Sequence, residues 1–295
     1  MNKVSIIIVN YNNSNDTIEC LKSIENFDNR LEVILVDNGS NKADFEALEG
    51  YMSKEIGINV VLLKNSQNLG FAGANNQGIK KAIERGADYV LLLNNDTIVE
   101  KDFLKNLLIE AERDNNQSIY SPLIFHYPEK DKIWFVGGRF KGFAEARHIR
   151  KIGNSDTDFL SGCCMLVPAN IFSRVGFFDE KFFLYYEDVD FCLRARAQGI
   201  KLRIVFDSKI YHKVSSVTKK INNQIRMRYE YRNRILVIGK NGSLFSKIFV
   251  FPWSVWIIAK QIFKILIGKQ TKISKGIIRG VLDGLRLKGG EIKND

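Results

Sequence analysis

The sequence lacks the short signatures that usually mark a nucleotide site. No GxGxxG follows its first apolar run, which excludes a dinucleotide site of the usual kind, and no GxxxxGK[ST] occurs, which excludes a P-loop. Cysteine is scarce. Cys20, Cys163, Cys164 and Cys192 form no CxxC pair, so they read as small core residues in a reducing compartment. Histidine is scarcer still, with His126, His148 and His212, and a lone histidine is more often structural than a ligand. No charge-free run reaches the roughly 20 residues that a bilayer span needs; the longest in the apolar stretch Leu244–Ile267 is Ile248–Ala259. Near the start, Ile6–Val9 is too short for a signal-peptide core, so no secretory leader is expected. There is no internal repeat and no low-complexity linker.

What is present is unevenly charged. The formal net charge is +11, yet residues 1–212 carry 26 Lys and Arg against 29 Asp and Glu, and residues 213–295 carry 18 against 4. A basic tail implies phosphate somewhere: nucleic acid, anionic lipid or a phosphorylated substrate.

Apolar runs and helical spacing alternate through the first third. Val4–Val9, Leu31–Val36, Ile58–Leu63 and Tyr89–Leu93 read as strands, the first buried and the last suited to burial on both faces. Ser14–Phe27, Ala43–Lys54 and Ala74–Arg85 read as the helices between them, the last closed by Gly86. This alternation specifies a parallel sheet with helices on both faces. Each strand ends in a polar cluster: Asn10–Asn12, Asp37–Ser40, Asn65–Asn68 and Asn94–Asp96. All four belong on one rim, where ligands of open α/β sheets sit. Asn94 and Asp96 would project oxygens there, suited to a hard divalent cation carrying phosphate; the alternative is that Asp96 caps a helix from about Glu100 to Arg113.

Further along, Ser118–His126 and Ile133–Gly137 read as short strands, Gly137–Gly153 as a mobile loop, and Phe159–Val167 as an apolar run broken by Ser161-Gly162. Glu187, Asp188 and Asp190 crowd the start of a helix ending at Gly199. Capping needs only one carboxylate there. The preceding Phe182, Phe183, Tyr185 and Tyr186 form an apolar wall, and a carboxylate against aromatics acquires a general base's pKa. His212 follows a last strand, Lys201–Phe206, on what reads as the same rim. Beyond Val217 the character changes to helices rich in Arg, Lys, Trp and Phe, so the expected division is 1–216 for the sheet domain and 217–295 for a basic amphipathic region. Its alternatives are a helical cap on the sheet domain or a helix lying on an anionic membrane.

Together, VSIIIVNYN at Val4–Asn12, VDNGS at Val36–Ser40, NLGFAGANNQG at Asn68–Gly78, LLLNNDT at Leu91–Thr97 and FFLYYEDVDFCLRA at Phe182–Ala195 resemble the inverting family 2 glycosyltransferases of GT-A fold, in the rhamnosyltransferase-like branch. The resemblance covers about Met1–Arg234. It implies a Rossmann-like, mostly parallel sheet and a set of roles. Asp37 would read the base of a pyrimidine nucleotide-sugar, with Asn10, Tyr11 and Asn68 lining the pocket and Asn95 beside them. Asn94 and Asp96 match the ends of the family's Asp-x-Asp metal motif, Asn94 replacing its first Asp, and His212 would complete the metal site. Asp188 matches the catalytic base, with Glu187 its partner; Tyr186 and Asp190 would face the acceptor. Arg232 and Arg234 resemble an arginine motif near the donor phosphates.

The expected activity is transfer of a sugar from dTDP-rhamnose or a UDP-sugar to a cell-surface glycan or lipid-linked acceptor, with Mg²⁺ or Mn²⁺ on the diphosphate. The expected place is the cytoplasmic face of the cell membrane, bound peripherally through the tail, with a homo-oligomer allowed. Two rivals remain: a sugar nucleotidyltransferase, for which no Gly-rich basic loop follows the first strand, and a nucleic-acid-binding protein, which leaves the acidic rim unexplained. No nucleic-acid partner is expected.

Overall fold

The computed structural model describes residues 2–24, 31–54, 57–141, 145–153, 156–214 and 222–293. The expected division at 216/217 and the last turn of the first expected helix lie outside them. β1 (Val4–Asn10), β2 (Leu31–Asp37), β3 (Asn59–Lys64) and β4 (Tyr89–Leu93) alternate with α1 (Ser14–Ile24), α2 (Lys42–Met52) and α3 (Gly70–Glu84). The strands pair in parallel, Asn10 level with Asp37 and Asp37 level with Lys64. β2 and β4 are buried at every position, which is why both read as unbroken apolar runs. Asn38 N–H donates to the Asn10 carbonyl (2.8 Å) and Asn65 N–H to that of Asp37 (2.9 Å), so the polar clusters join into one rim.

Beyond β4 the sheet turns mixed. β5 (Thr97–Val99), β6 (Ser118–His126), β7 (Ile133–Phe135), β10 (Cys164–Pro168) and β11 (Lys201–His212) extend it in the order β3-β2-β1-β4-β10-β6-β11-β5, with β7 beside β6. β10 runs antiparallel to β4, and β5 antiparallel to β11. Thr97–Val99 is therefore a strand, and α4 begins only at Phe103 (Phe103–Arg113). The last strand outruns its expected end at Phe206. Its register against β6 shifts between Val205 and Lys209, and Ser208 there donates to the Phe103 carbonyl (2.7 Å). The bulge lets the strand carry on to His212.

The stretch expected as a mobile loop holds an antiparallel pair instead, β8 (Gly138–Lys141) against β9 (Glu145–His148). Val136 and Ile149 continue its ladder at the base, and Gly138 lies flat on the Phe159 ring, where a side chain would collide.

α5 (Ala169–Val175) and α6 (Glu187–Ala197) pack on the sheet, and among the described residues beyond them are α7 (Asn223–Asn241), α8 (Leu244–Leu266) and α9 (Thr271–Leu285). Leu236 and Val237 of α7 belong to the main core. Gly276, Gly280 and Gly284 of α9 lie against the α7 backbone at Gln224, Arg228 and Arg232, too close for a Cβ. The tail is thus fastened to the sheet domain through α7. α8 is different: its buried residues are Ser254, Ile257 and Gln261, whereas Phe251, Trp256, Phe263 and Leu266 are more than half exposed.

Candidate active site

Topology explains how His212 reaches Asp96. In the antiparallel β5–β11 pair, His212 faces Thr97, and Lys213 N–H donates to the Asp96 carbonyl (2.9 Å). The His212 Nε2 then lies 3.1 Å from Asp96 Oδ2, with both side chains nearly buried. The Trp134 ring meets the His212 imidazole edge-on at 4.4 Å between centroids, and His212 Nδ1 is buried with no partner among the described residues. Those residues contain no group of three His, Cys, Asp or Glu side chains placed to hold a metal ion by themselves. A divalent ion here would have Asp96 and His212, with the neutral Asn94 two residues before Asp96 in the chain. Such a set fits: adjacent ligands on a small octahedral ion stand about 3 Å apart, and magnesium commonly takes one or two carboxylates plus substrate phosphate oxygens.

The carboxylates of α6 approach the same place from the other side. Asn94 N–H donates to the Cys163 carbonyl (2.8 Å), and Gly162 N–H donates to Asp188 Oδ2 (2.9 Å). Ser161-Gly162, which breaks an apolar run in the sequence, thus bridges the end of β4 to the start of α6. A Cβ on Gly162 would press on the Phe71 ring. Val189 N–H donates to Asp188 Oδ1 (2.8 Å), and Asp188 keeps an exposed edge. Its neighbour Glu187 is buried, with Oε2 unpartnered among the described residues. Burial, then the Asp188 charge, holds the Glu187 carboxyl well above the usual carboxylate range. Burial also raises Asp188, against the backbone N–H groups that favour its ionised form. Both carboxyls are thus pushed up by burial, and Asp188 has the N–H groups of Gly162 and Val189 to favour its ionised form.

Phe183, Tyr185 and Tyr186, just before α6, all have positive φ (58°, 68° and 73°). Each such residue costs about 1–3 kcal/mol in isolation. The turn is held from outside. Phe71 N–H donates to the Phe183 carbonyl (2.7 Å), Asn233 to the carbonyls of Phe182, Leu184 and Tyr185, and Arg232 to those of Lys181 and Phe182.

Several of the expected site residues are placed away from the open rim. Asp190 is fully buried; it accepts from Arg194 (2.8 Å) and Asn241 (2.8 Å) and pairs with Lys240 (2.9 Å), so it ties α6 to α7 and offers nothing to an acceptor. Arg232, 2% exposed, directs its guanidinium to the carbonyls of Lys181, Phe182 and Gly290 and to Asn233. Arg234 is half-buried over the Trp253 and Tyr231 rings. Tyr186 is buried, its hydroxyl against the Ala146 backbone, which removes it as an open acceptor platform.

On the rim, Asp37 has no exposed surface: Asn10 Nδ2 donates to its Oδ1 (3.0 Å) and Ser40 N–H to its Oδ2 (3.2 Å). Asn10 is equally buried and also meets Asp44 (2.8 Å). These two frame the rim from beneath. Asn68 accepts from Asn38 and Gly70 N–H at the entry to α3, Asn95 donates to Thr17 of α1, and Tyr11 is half-exposed. Sequence reasoning missed Gly162, Asn233 and the buried role of Arg232. The signal for the first was the Ser161-Gly162 break. The four cysteines are buried as expected, with burial pushing the Cys20 thiol up to about 12.

Comparison with known proteins agrees with this architecture. The family model described as glycosyl transferase family 2 matches residues 5–176. The chain is 27% identical to the low-salt glycan biosynthesis hexosyltransferase Agl10 of Haloferax volcanii, over 99% of this chain and 94% of that protein. It is also 27% identical to the dTDP-rhamnosyl transferase RfbF of Shigella flexneri, over 96% of each. Among solved structures it resembles GalNAc-T7 with UDP, GalNAc and Mn²⁺ (TM-score 0.64, 17% identity, 81% of this chain and 48% of that one). It also resembles the mannosyltransferase PcManGT of Pyrobaculum calidifontis with GDP-Man and Mn²⁺ (TM-score 0.63, 14% identity, 96% and 87%). At these identities the structures speak for the fold, which is GT-A.

Proposed function

We propose, from the premise that this chain belongs to glycosyl transferase family 2, that it moves a sugar from a nucleoside diphosphate to an acceptor hydroxyl with inversion. dTDP-rhamnose is the first donor to consider and a UDP-sugar the second. The observation that carries the reading is the Glu187–Asp188 pair: one carboxyl buried, with an oxygen unpartnered among the described residues, the next partly exposed and held by Gly162 N–H. Asp188 takes the proton of the acceptor hydroxyl. The acceptor oxygen bonds to the anomeric carbon from the face opposite the diphosphate, and the carbon–oxygen bond to the diphosphate breaks, its electron pair leaving with the phosphate. A raised pKa suits this base, because proton transfer works best when the base titrates near the working pH.

A Mg²⁺ or Mn²⁺ ion, when bound by Asp96 and His212 with Asn94 beside them, would neutralise charge on the departing diphosphate. The 3.1 Å separation of Asp96 Oδ2 and His212 Nε2 supports that assignment.

The acceptor in this reading is a growing cell-surface glycan or its lipid-linked precursor, and the enzyme works at the cytoplasmic face of the membrane. Support comes from α8, which buries Ser254, Ile257 and Gln261 yet leaves Phe251, Trp256 and Phe263 more than half exposed, a large apolar surface for a helix in water. Among the described residues it is the one helix long and apolar enough to cross a membrane, by length and composition. The 12-residue charge-free run had suggested otherwise, but a whole helix of 23 residues tolerates lysines near its ends.

The test is a screen of nucleotide-sugars with the purified chain, read as nucleoside diphosphate release, followed by the anomeric configuration of the product. Release from dTDP-rhamnose or a UDP-sugar and an inverted product are expected. A retained configuration would remove the single-displacement mechanism.

A further inference from the structure

We propose that Asn233 is a positioning residue for transfer, holding the turn Phe182–Tyr186 so that the first turn of α6 presents Asp188. The inference rests on the reading of Asp188 as the base.

Asn233 lies in the middle of α7, far from the rim in sequence and with no exposed surface. A buried position on a helix ordinarily takes an apolar side chain, since asparagine is a weak helix former and its amide must be satisfied. Here the amide answers to the turn. Nδ2 lies 3.1 Å from the Phe182 carbonyl and 2.8 Å from each of those of Leu184 and Tyr185, so two hydrogens serve three acceptors. Its Oδ1 accepts from Arg232 Nε (2.9 Å), and the Arg232 guanidinium reaches on to the Phe182 and Gly290 carbonyls. Gly290 N–H in turn donates to the Lys181 carbonyl (2.8 Å).

These carbonyls converge because Phe183, Tyr185 and Tyr186 all have positive φ. Positive φ is unfavourable for aromatic residues, so the turn would relax toward ordinary φ once its acceptors lost their donors. Tyr186 is both the last left-handed residue and the residue that leads into α6. Relaxing it swings Glu187 and Asp188 and pulls Asp188 off Gly162 N–H. The rim residues Asn10, Asp37 and Asn68 touch neither Asn233 nor the turn's carbonyls, so donor affinity should be spared.

The test uses the full chain. Hydrogen–deuterium exchange across Glu180–Cys192 is compared for wild type and Asn233→Ala. Faster exchange there, with β1, β2 and β4 unchanged, is expected; unchanged exchange overturns the proposal. In parallel, kcat and KM are measured for dTDP release from dTDP-rhamnose, or from the UDP-sugar that the screen selects. Asn233→Ala should lower kcat by about a hundredfold, the scale of a 1 Å misplacement, while KM holds. In an Asp188→Asn background the same change should add nothing. Equal losses in both backgrounds would mean that Asn233 acts elsewhere. Normal turnover by Asp188→Asn alone would remove the base assignment, and the exchange result would still judge the turn. If the alanine variant does not fold, Asn233→Ser retains one donor and is judged by the same measurements, with smaller changes.

Discussion

Glu187 and Asp188 are adjacent carboxyls in unequal surroundings, and the inequality is measurable. Asp188→Asn keeps shape and removes proton acceptance. Transfer should fall by at least about a hundredfold, the lower end of what general bases supply, with donor binding intact. Near-normal turnover, measured at saturating donor, would move the base elsewhere. Glu187 makes a prediction about stability. Its folded pKa is raised by burial, so the folded state holds a proton that the unfolded chain releases near the ordinary value of about 4.3. The unfolded state then binds fewer protons, and wild-type stability falls as pH rises from that value toward the folded pKa. Glu187→Gln has no proton to lose. It should melt above wild type at neutral pH, with the gap closing below about pH 4; melting curves across pH check both parts. For the metal, Asp96→Ala should abolish Mn²⁺ binding in electron paramagnetic resonance titrations and His212→Ala should weaken it. Unaltered binding in both would clear these residues of the role.

At the scale of elements, contact between α7 and α9 depends on three glycines. A Cβ at Gly280 would run into the Arg228 carbonyl, so Gly280→Ala should lower stability by about 1–3 kcal/mol, the usual cost of overpacking. Gly50 in α2 has open space around its Cα, so Gly50→Ala should stabilise by about 0.5–1 kcal/mol. Chemical denaturation separates the signs. The same scale shows what could be read from the sequence. β1, β2 and β4 were legible because strands buried on both faces are written as apolar runs and end abruptly in polar residues, and β3, half-exposed at the sheet edge, still carries an apolar run. The direction of β10 and the strand nature of Thr97–Val99 were not. Side-chain pattern carries no sign for strand direction, and a three-residue strand has too few positions to show a period. β8 and β9 hid because their Gly, Arg and Lys are poor strand formers, held by their own ladder and the Phe159 ring. At the site, Asp96 and His212 were legible as rim residues. The burial of Asp190 and Arg232 was not legible, because sequence shows a charge and not its surroundings. Their partners lie far along the chain: Asn241 for the first, and Phe182 and Gly290 for the second.

For the whole molecule, charge and apolar surface point the same way. The strongly basic segment contains α8, and Lys272, Lys275 and Arg279 of the neighbouring α9 are exposed. An apolar helix face flanked by lysines and arginines favours an anionic bilayer: the face enters the acyl boundary, and each basic residue near the surface adds about 1 kcal/mol. Cutting the tail away is a poor test, since Lys240 and Asn241 hold Asp190 and the segment after α9 holds Arg232. Point changes on the outer face avoid this. Trp256→Glu with Phe263→Glu alters two side chains that are 57% and 63% exposed, so the fold should be kept. Wild type should sediment with vesicles containing phosphatidylglycerol and less with pure phosphatidylcholine, and the double variant should stay in the supernatant. Salt decides how the helix sits. Partial release at high salt, with a blue-shifted tryptophan emission in what remains bound, fits a helix lying in the interface. Complete release leaves only charge, and resistance to both salt and alkaline carbonate means that α8 crosses the bilayer.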